Sequence, residues 1–151
     1  MIEWCNKPYL KITSDIAPKT AVRKPLPSDD EETVKDKKAK PYLNKRDVTF
    51  TIDYLGTVYV IFIPKGYKWD GASIPRLFWW LIGSKGENDF LDPSMVHDKI
   101  TEKKCLVAYD RQLSSMILRE MLIALRVAKW RANTMYRSVD LYQKYFCDWE
   151  S

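Results

Sequence analysis

Gly66-Tyr-Lys-Trp-Asp-Gly-Ala-Ser-Ile-Pro-Arg-Leu-Phe-Trp-Trp80 is the stretch around which the chain is organised, together with the His97-Asp98 pair that follows it. Asp70-Gly71 has turn chemistry, Ser73 can accept a hydrogen bond from a free backbone N–H at a helix start, and Pro75 fits a first helical turn, where no N–H is needed. A strand therefore ends and a helix begins within these residues.

Upstream, Val48, Phe50, Ile52 and Tyr54 alternate with Thr49, Thr51 and Asp53, the period of a strand with one buried face. Leu55-Gly56 turns the chain, and the run from Thr57 to Ile63 is apolar on both faces, which predicts a central strand covered on both sides and closed by Pro64. Leu10 and Ile12 share a face of a further short strand over Pro8–Thr13, expected at an edge or as a pairing strand. Between them, residues 17–45 carry prolines at 18, 25, 27 and 41, the acidic run Asp29-Asp30-Glu31-Glu32, and then Lys35, Lys37, Lys38 and Lys40. With few apolar anchors, this segment is expected to be an extended polar arm or loop, ordered by neighbouring subunits.

Downstream, Leu77, Trp80 and Leu81 share a helical face that Gly83 and Gly86 terminate, and Asp92-Pro93 reads as the cap and first position of a second short helix bearing His97. Leu106, Leu113, Ile117, Met121 and Leu125 trace an amphipathic helix opposed by Asp110, Gln112, Arg119 and Glu120. Met135, Val139, Tyr142 and Phe146 trace another over about 129–146, with Arg131, Arg137 and Lys144 away from the stripe. The expected fold is α+β: one domain over residues 1–151 with a single core, and a small, mainly antiparallel sheet covered by short helices and a C-terminal helical hairpin.

The net charge of +5 is compatible with a polyanionic partner, but Lys and Arg are spread through the chain. On charge alone, a solvated basic surface outweighs dedicated nucleic-acid binding by about three to one. Cys5, Cys105 and Cys147 are odd in number and lack metal-ligand spacing, so they read as reduced structural thiols. No run of eighteen apolar residues is present and the Met-Ile-Glu-Trp start lacks a signal-segment pattern, so no membrane span and folding in a reducing cytoplasm are expected. No phosphate-cradling glycine loop supports nucleotide-triphosphate chemistry.

The order Gly-Tyr-Lys-Trp-Asp-Gly-Ala-Ser-Ile-Pro-Arg, a short aromatic helix, Pro-Ser-Met-Val-His-Asp and then an amphipathic helix starting near Arg111 resembles a family of small phage and prophage proteins catalogued as a domain of unknown function. The resemblance covers about residues 47–145, and its signature is Asp-Gly-Ala-Ser-Ile-Pro followed some twenty residues later by His-Asp. It implies hallmark roles for Asp70, Gly71, Ser73, Pro75, His97, Asp98 and Arg111. The family often has an acidic residue four positions after that arginine; here the position is Ser115, which weakens an acidic metal cluster.

Asp70, His97 and Asp98 have the residue types of a hydrolase site holding a divalent metal or an activated water. The chain has one histidine, however, and adjacent helical residues splay by about 100°, so His97 and Asp98 do not face one ion easily. The competing reading is a buried polar network in which His97 bonds Asp70 or the Ser73 loop and Asp98 pairs with Arg76 or Arg111; it outweighs catalysis by about two to one. Ser73 is explained better as a cap than as a nucleophile, and Phe78-Trp79-Trp80 better as core than as a base-stacking platform. The expected function is a virion or virion-assembly protein at the neck or tail, made in the host cytoplasm and contacting other virion proteins in an oligomeric or ring assembly. The alternatives are a phage-encoded metal-dependent hydrolase acting on peptidoglycan or nucleic acid, and an inhibitor that binds a host protein.

Overall fold

Alternating apolar residues build a four-stranded antiparallel sheet in the computed structural model, which describes residues 1–70, 87–101 and 111–146, side chains at 87–90, 111 and 146 excepted. Its strands are β1 (Ile2–Asn6), β2 (Leu10–Ser14), β5 (Val48–Tyr54) and β6 (Thr57–Ile63), in the order β1-β2-β5-β6. Leu10, Ile12, Val48, Phe50, Ile52, Ile61 and Ile63 point to one face and are buried. A second antiparallel sheet joins β3 (Thr20–Val22), β4 (Tyr42–Asn44) and β7 (Lys68–Trp69). Buried Asn44 ties the sheets together: its side-chain amide donates to the carbonyls of Ile63 (3.2 Å) and Pro64 (3.0 Å).

Helices α2 (Glu87–Thr101) and α3 (Arg111–Ala124) cover the main sheet's inner face, and α4 (Lys129–Phe146) packs on α3. Leu113, Ile117 and Met121 of α3 pack into the sheet core with Met95, Val96 and Ile100 of α2. On its other side, Leu118 and Leu122 meet Ala132, Met135 and Val139 of α4 in a second cluster. The α+β architecture and the C-terminal helices backing the sheet agree with the pattern of the sequence; the apolar interior divides into two clusters instead of one. No helix among the described residues is long and apolar enough to cross a membrane.

Several elements differ from expectation. The supposed loop at 17–45 contains β3, β4 and the helix α1 (Glu31–Ala39). Asp30 caps α1 by accepting the Thr33 N–H (2.7 Å), Glu31 and Glu32 lie in its positive first turn and Lys37 and Lys38 in its last. Because α1 buries no residue, periodicity could not reveal it; it is held by ion pairs, Arg23 to Asp36 (2.9 Å) and Lys37 to Asp29 (2.6 Å). Strand β2 is the pairing strand of the two alternatives, bonded on both sides because the unforeseen β1 lies outside it. Strand β6 is an edge: Ile61 and Ile63 are buried, but Val58, Val60 and Phe62 are 57%, 58% and 53% exposed.

Asp92-Pro93 does not start α2; Pro93 lies inside it. Glu120, expected on the polar face of α3, is buried. Its carboxylate takes Lys7 at 2.7 Å and Arg119 at 3.0 Å, with the Cys5 thiol at 3.8 Å. Burial and the Glu120 charge push that thiol up to about 11, leaving Cys5 inert at neutral pH. The helix read at 77–81, Phe78-Trp79-Trp80, Leu106, Asp110, Cys105 and Cys147 lie outside the described residues.

The β5–β6 hairpin closes through Leu55 (φ 53°) and Gly56 (φ 87°), the two left-handed residues of a type I′ turn, and Asp53 accepts the Gly56 N–H at 3.0 Å. Leucine is a poor occupant of that conformation. Leu55→Asn should stabilise the protein by about 0.5–1 kcal/mol in urea unfolding, and Gly56→Ala should destabilise it by about 1 kcal/mol or more.

Candidate functional site

Strand β7 ends at Trp69, immediately before Asp70, and the last turns of α2 run beside it. Trp69 is buried here because its indole N–H donates to Ser94 Oγ (2.9 Å) on α2, and it stacks on Tyr67 with ring centres 5.8 Å apart. The Lys99 ammonium sits 5.1 Å above the Tyr67 ring. These contacts fix one wall of an open cleft of about 240 Å³ lined by Lys40, Tyr67, Lys68, Trp69, Asp70, Asp98 and Thr101. Asp70 and Asp98, both singled out by residue type, thus line one cavity, with Lys40 and Lys68, which no motif distinguishes.

His97 is elsewhere. It is fully buried, and its Nε2 lies 3.3 Å from the side-chain nitrogen of Gln143 on α4. An amide nitrogen can only donate, so Nε2 accepts and the ring proton is assigned to Nδ1. Ser115 Oγ on α3 donates to the Gln143 amide oxygen (3.5 Å), which agrees with this amide orientation. Burial pushes the imidazole down to about 4, so the ring is neutral at pH 7.

The His-Asp dipeptide is therefore divided by the helical step: Asp98 lines the cleft and His97 faces the interior. Among the described residues, no three His, Cys, Asp or Glu side chains come together as metal ligands would. The expected hydrogen-bond partners of His97 were Asp70 and the Ser73 loop, whereas the contact described here is with Gln143. Gly71, Ser73, Pro75 and Arg76 lie outside the described residues, and Arg111 is described only as the first residue of α3. A single buried Gln on a stripe otherwise read as apolar gives no periodic signal, so Gln143 was not legible in advance.

Asp92 is a further perturbed group. It is half-buried on α2, accepts a hydrogen bond from Thr20 of β3 (2.9 Å), and loss of hydration drives its carboxyl up to about 6, outweighing the opposing effect of that bond.

A family described as "Protein of unknown function (DUF1353)" matches residues 47–139, more than half of the chain. "Uncharacterized protein y4jT" of Sinorhizobium fredii (strain NBRC 101917 / NGR234) is 36% identical over 83 residues, which is 53% of this chain and 23% of that protein. The chain thus spans less than a quarter of the relative's length. No solved structure matches the chain. Asp70, His97, Asp98 and Ser115 fall inside the family span, whereas Gln143, Thr20 and Lys40 fall outside it.

His97→Ala removes the acceptor for a buried amide and opens a cavity, and should cost roughly 2–4 kcal/mol in urea unfolding. The pH dependence has two opposed parts. As pH falls from 6.5 towards 4 the unfolded chain binds a proton that buried His97 refuses, so stability is lost, by roughly 3 kcal/mol at most. As pH falls from about 6 towards 3.8 native Asp92 binds a proton before its unfolded counterpart, so stability is gained. Asp92→Asn should therefore raise stability at pH 7 and expose a steeper loss between pH 6.5 and 4, read from urea midpoints across pH.

Proposed function

Since the chain belongs to the DUF1353 family of proteins of unknown function, whose description assigns no activity, we propose its role from its geometry: a small structural or assembly component of a phage particle, at the neck or tail, acting by protein contact. The observation that carries this reading is the division of the hallmark residues. His97 is fully buried, neutral and bonded to Gln143 of α4, whereas Asp70 and Asp98 line an open cleft. With its Nε2 lone pair taken up by the Gln143 amide, that nitrogen is not free to take a proton from a bound water or to hold a metal. The resemblance to phage and prophage proteins supplies the particle, and its other virion proteins are the proposed partners. The polar segment 17–45 forms β3, α1 and β4 within the chain, with the pairs Arg23–Asp36 and Lys37–Asp29.

One observation favours a second reading. Asp70, Asp98 and Thr101 share an open cleft with Lys40 and Lys68, a set that could hold a divalent cation or a polyanion in a hydrolase acting on peptidoglycan or nucleic acid.

Quantitative mass spectrometry of purified particles should find the chain at a constant copy number relative to the major capsid protein; its absence from particles would sink the structural role. Hydrolysis of peptidoglycan or nucleic acid by the isolated protein, lost on Asp70→Asn and Asp98→Asn but kept on His97→Gln, would establish the second reading instead.

A further inference from the structure

Strand β6 is seven residues long and carries no charge from Thr57 to Ile63. Among the described residues it forms one edge of the main sheet, and its register with β5 is unbroken by any bulge. The opposite edge is protected: β1 has Glu3 and a register shift between Glu3 and Cys5. Edge strands that must stay single usually carry a charge, a proline or a bulge, so the two edges differ in the way that a solvent edge and a covered edge differ.

The turn sets which backbone groups β6 leaves outward. A two-residue turn makes Tyr54 and Thr57 a hydrogen-bonded pair, and pairs then alternate, so Thr57, Tyr59, Ile61 and Ile63 bond to β5. Val58, Val60 and Phe62 direct their N–H and C=O groups away from β5 and are also the residues whose side chains are more than half exposed. Apolar side chains and outward main-chain groups thus coincide on the same three residues.

We propose that a second copy of this chain pairs with this edge, β6 against β6 in antiparallel register centred on Val60, so that two four-stranded sheets become one continuous sheet across a twofold axis. In that register Val60 faces its own copy and Val58 faces Phe62, and each pair exchanges two main-chain hydrogen bonds. The strand confronts no like charge in doing so. The charges flanking the strand are of both signs at each end, Asp53 opposite Lys11 at the turn end and Lys65 beside Asp47 at the far end, so neither end sets a like-charged cluster against its copy. The proposal holds whether or not the protein proves to belong to a particle.

The test is the mass of the isolated full chain by sedimentation, across a dilution series. The expected result is a two-chain species that Val60→Lys reduces to one chain, with the thermal unfolding profile of the diluted single chain retained because Val60 is exposed. Under mild oxidation Val60→Cys should give a disulfide-linked pair beyond that of the unsubstituted chain, and Val58→Cys should not, because position 58 does not face itself; the Val58→Cys/Phe62→Cys double variant should link again. A single-chain mass at every concentration, as expected if the edge takes a strand from a different protein, would overturn the proposal. So would a two-chain species that survives Val60→Lys, or cross-linking through Val58→Cys as efficient as through Val60→Cys.

Discussion

Helix α3 is confined on two sides, and the rest of the molecule follows from that confinement. Leu113, Ile117 and Met121 face the sheet, Leu118 and Leu122 face α4, and the polar residues caught between, Ser115 and Glu120, must be satisfied inside. A buried carboxylate is tolerable only with charge and hydrogen bonds around it. Glu120 finds Lys7 from the loop between β1 and β2 and its own neighbour Arg119. A helix near the C-terminus is thereby fastened to the first strands of the chain.

The same confinement settles His97. Burial between helices leaves room for a neutral ring with an amide donor, and Gln143 supplies it while Ser115 holds the amide. Ser115 is itself buried, and its hydroxyl is part of this network. An acidic side chain there would add a second buried charge to a helix that already encloses Glu120. Asp98, one residue on, lies on the side of α2 that borders the cleft.

Much of the fold was legible because burial writes a period into the sequence. The alternation at 48–54 and the stripe at 129–146 led to β5 and α4 with bounds within a residue. Where burial is absent or two-sided the signal fails: α1 buries nothing, and α3 buries Glu120 on what looked like a solvent face. At β6 the residues were read as a strand, but an apolar run does not say which of its faces is covered. The candidate site was half legible. Residue type picked out Asp70 and Asp98, while the helical step that separates Asp98 from His97, and the partner Gln143 forty-six residues away, depend on how α2 and α4 lie together.

The family span opens at residue 47, in the turn before β5, and closes at residue 139, in the middle of α4. Both ends fall across contacts that this molecule uses: β5 is bonded along its length to β2, and the far half of α4 carries Gln143. The stretch that is recognisable by similarity is therefore not a self-sufficient module here. Transplanted into another protein, it would need a foreign strand beside β5 and a foreign donor for the histidine, so each host is free to finish the unit in its own way.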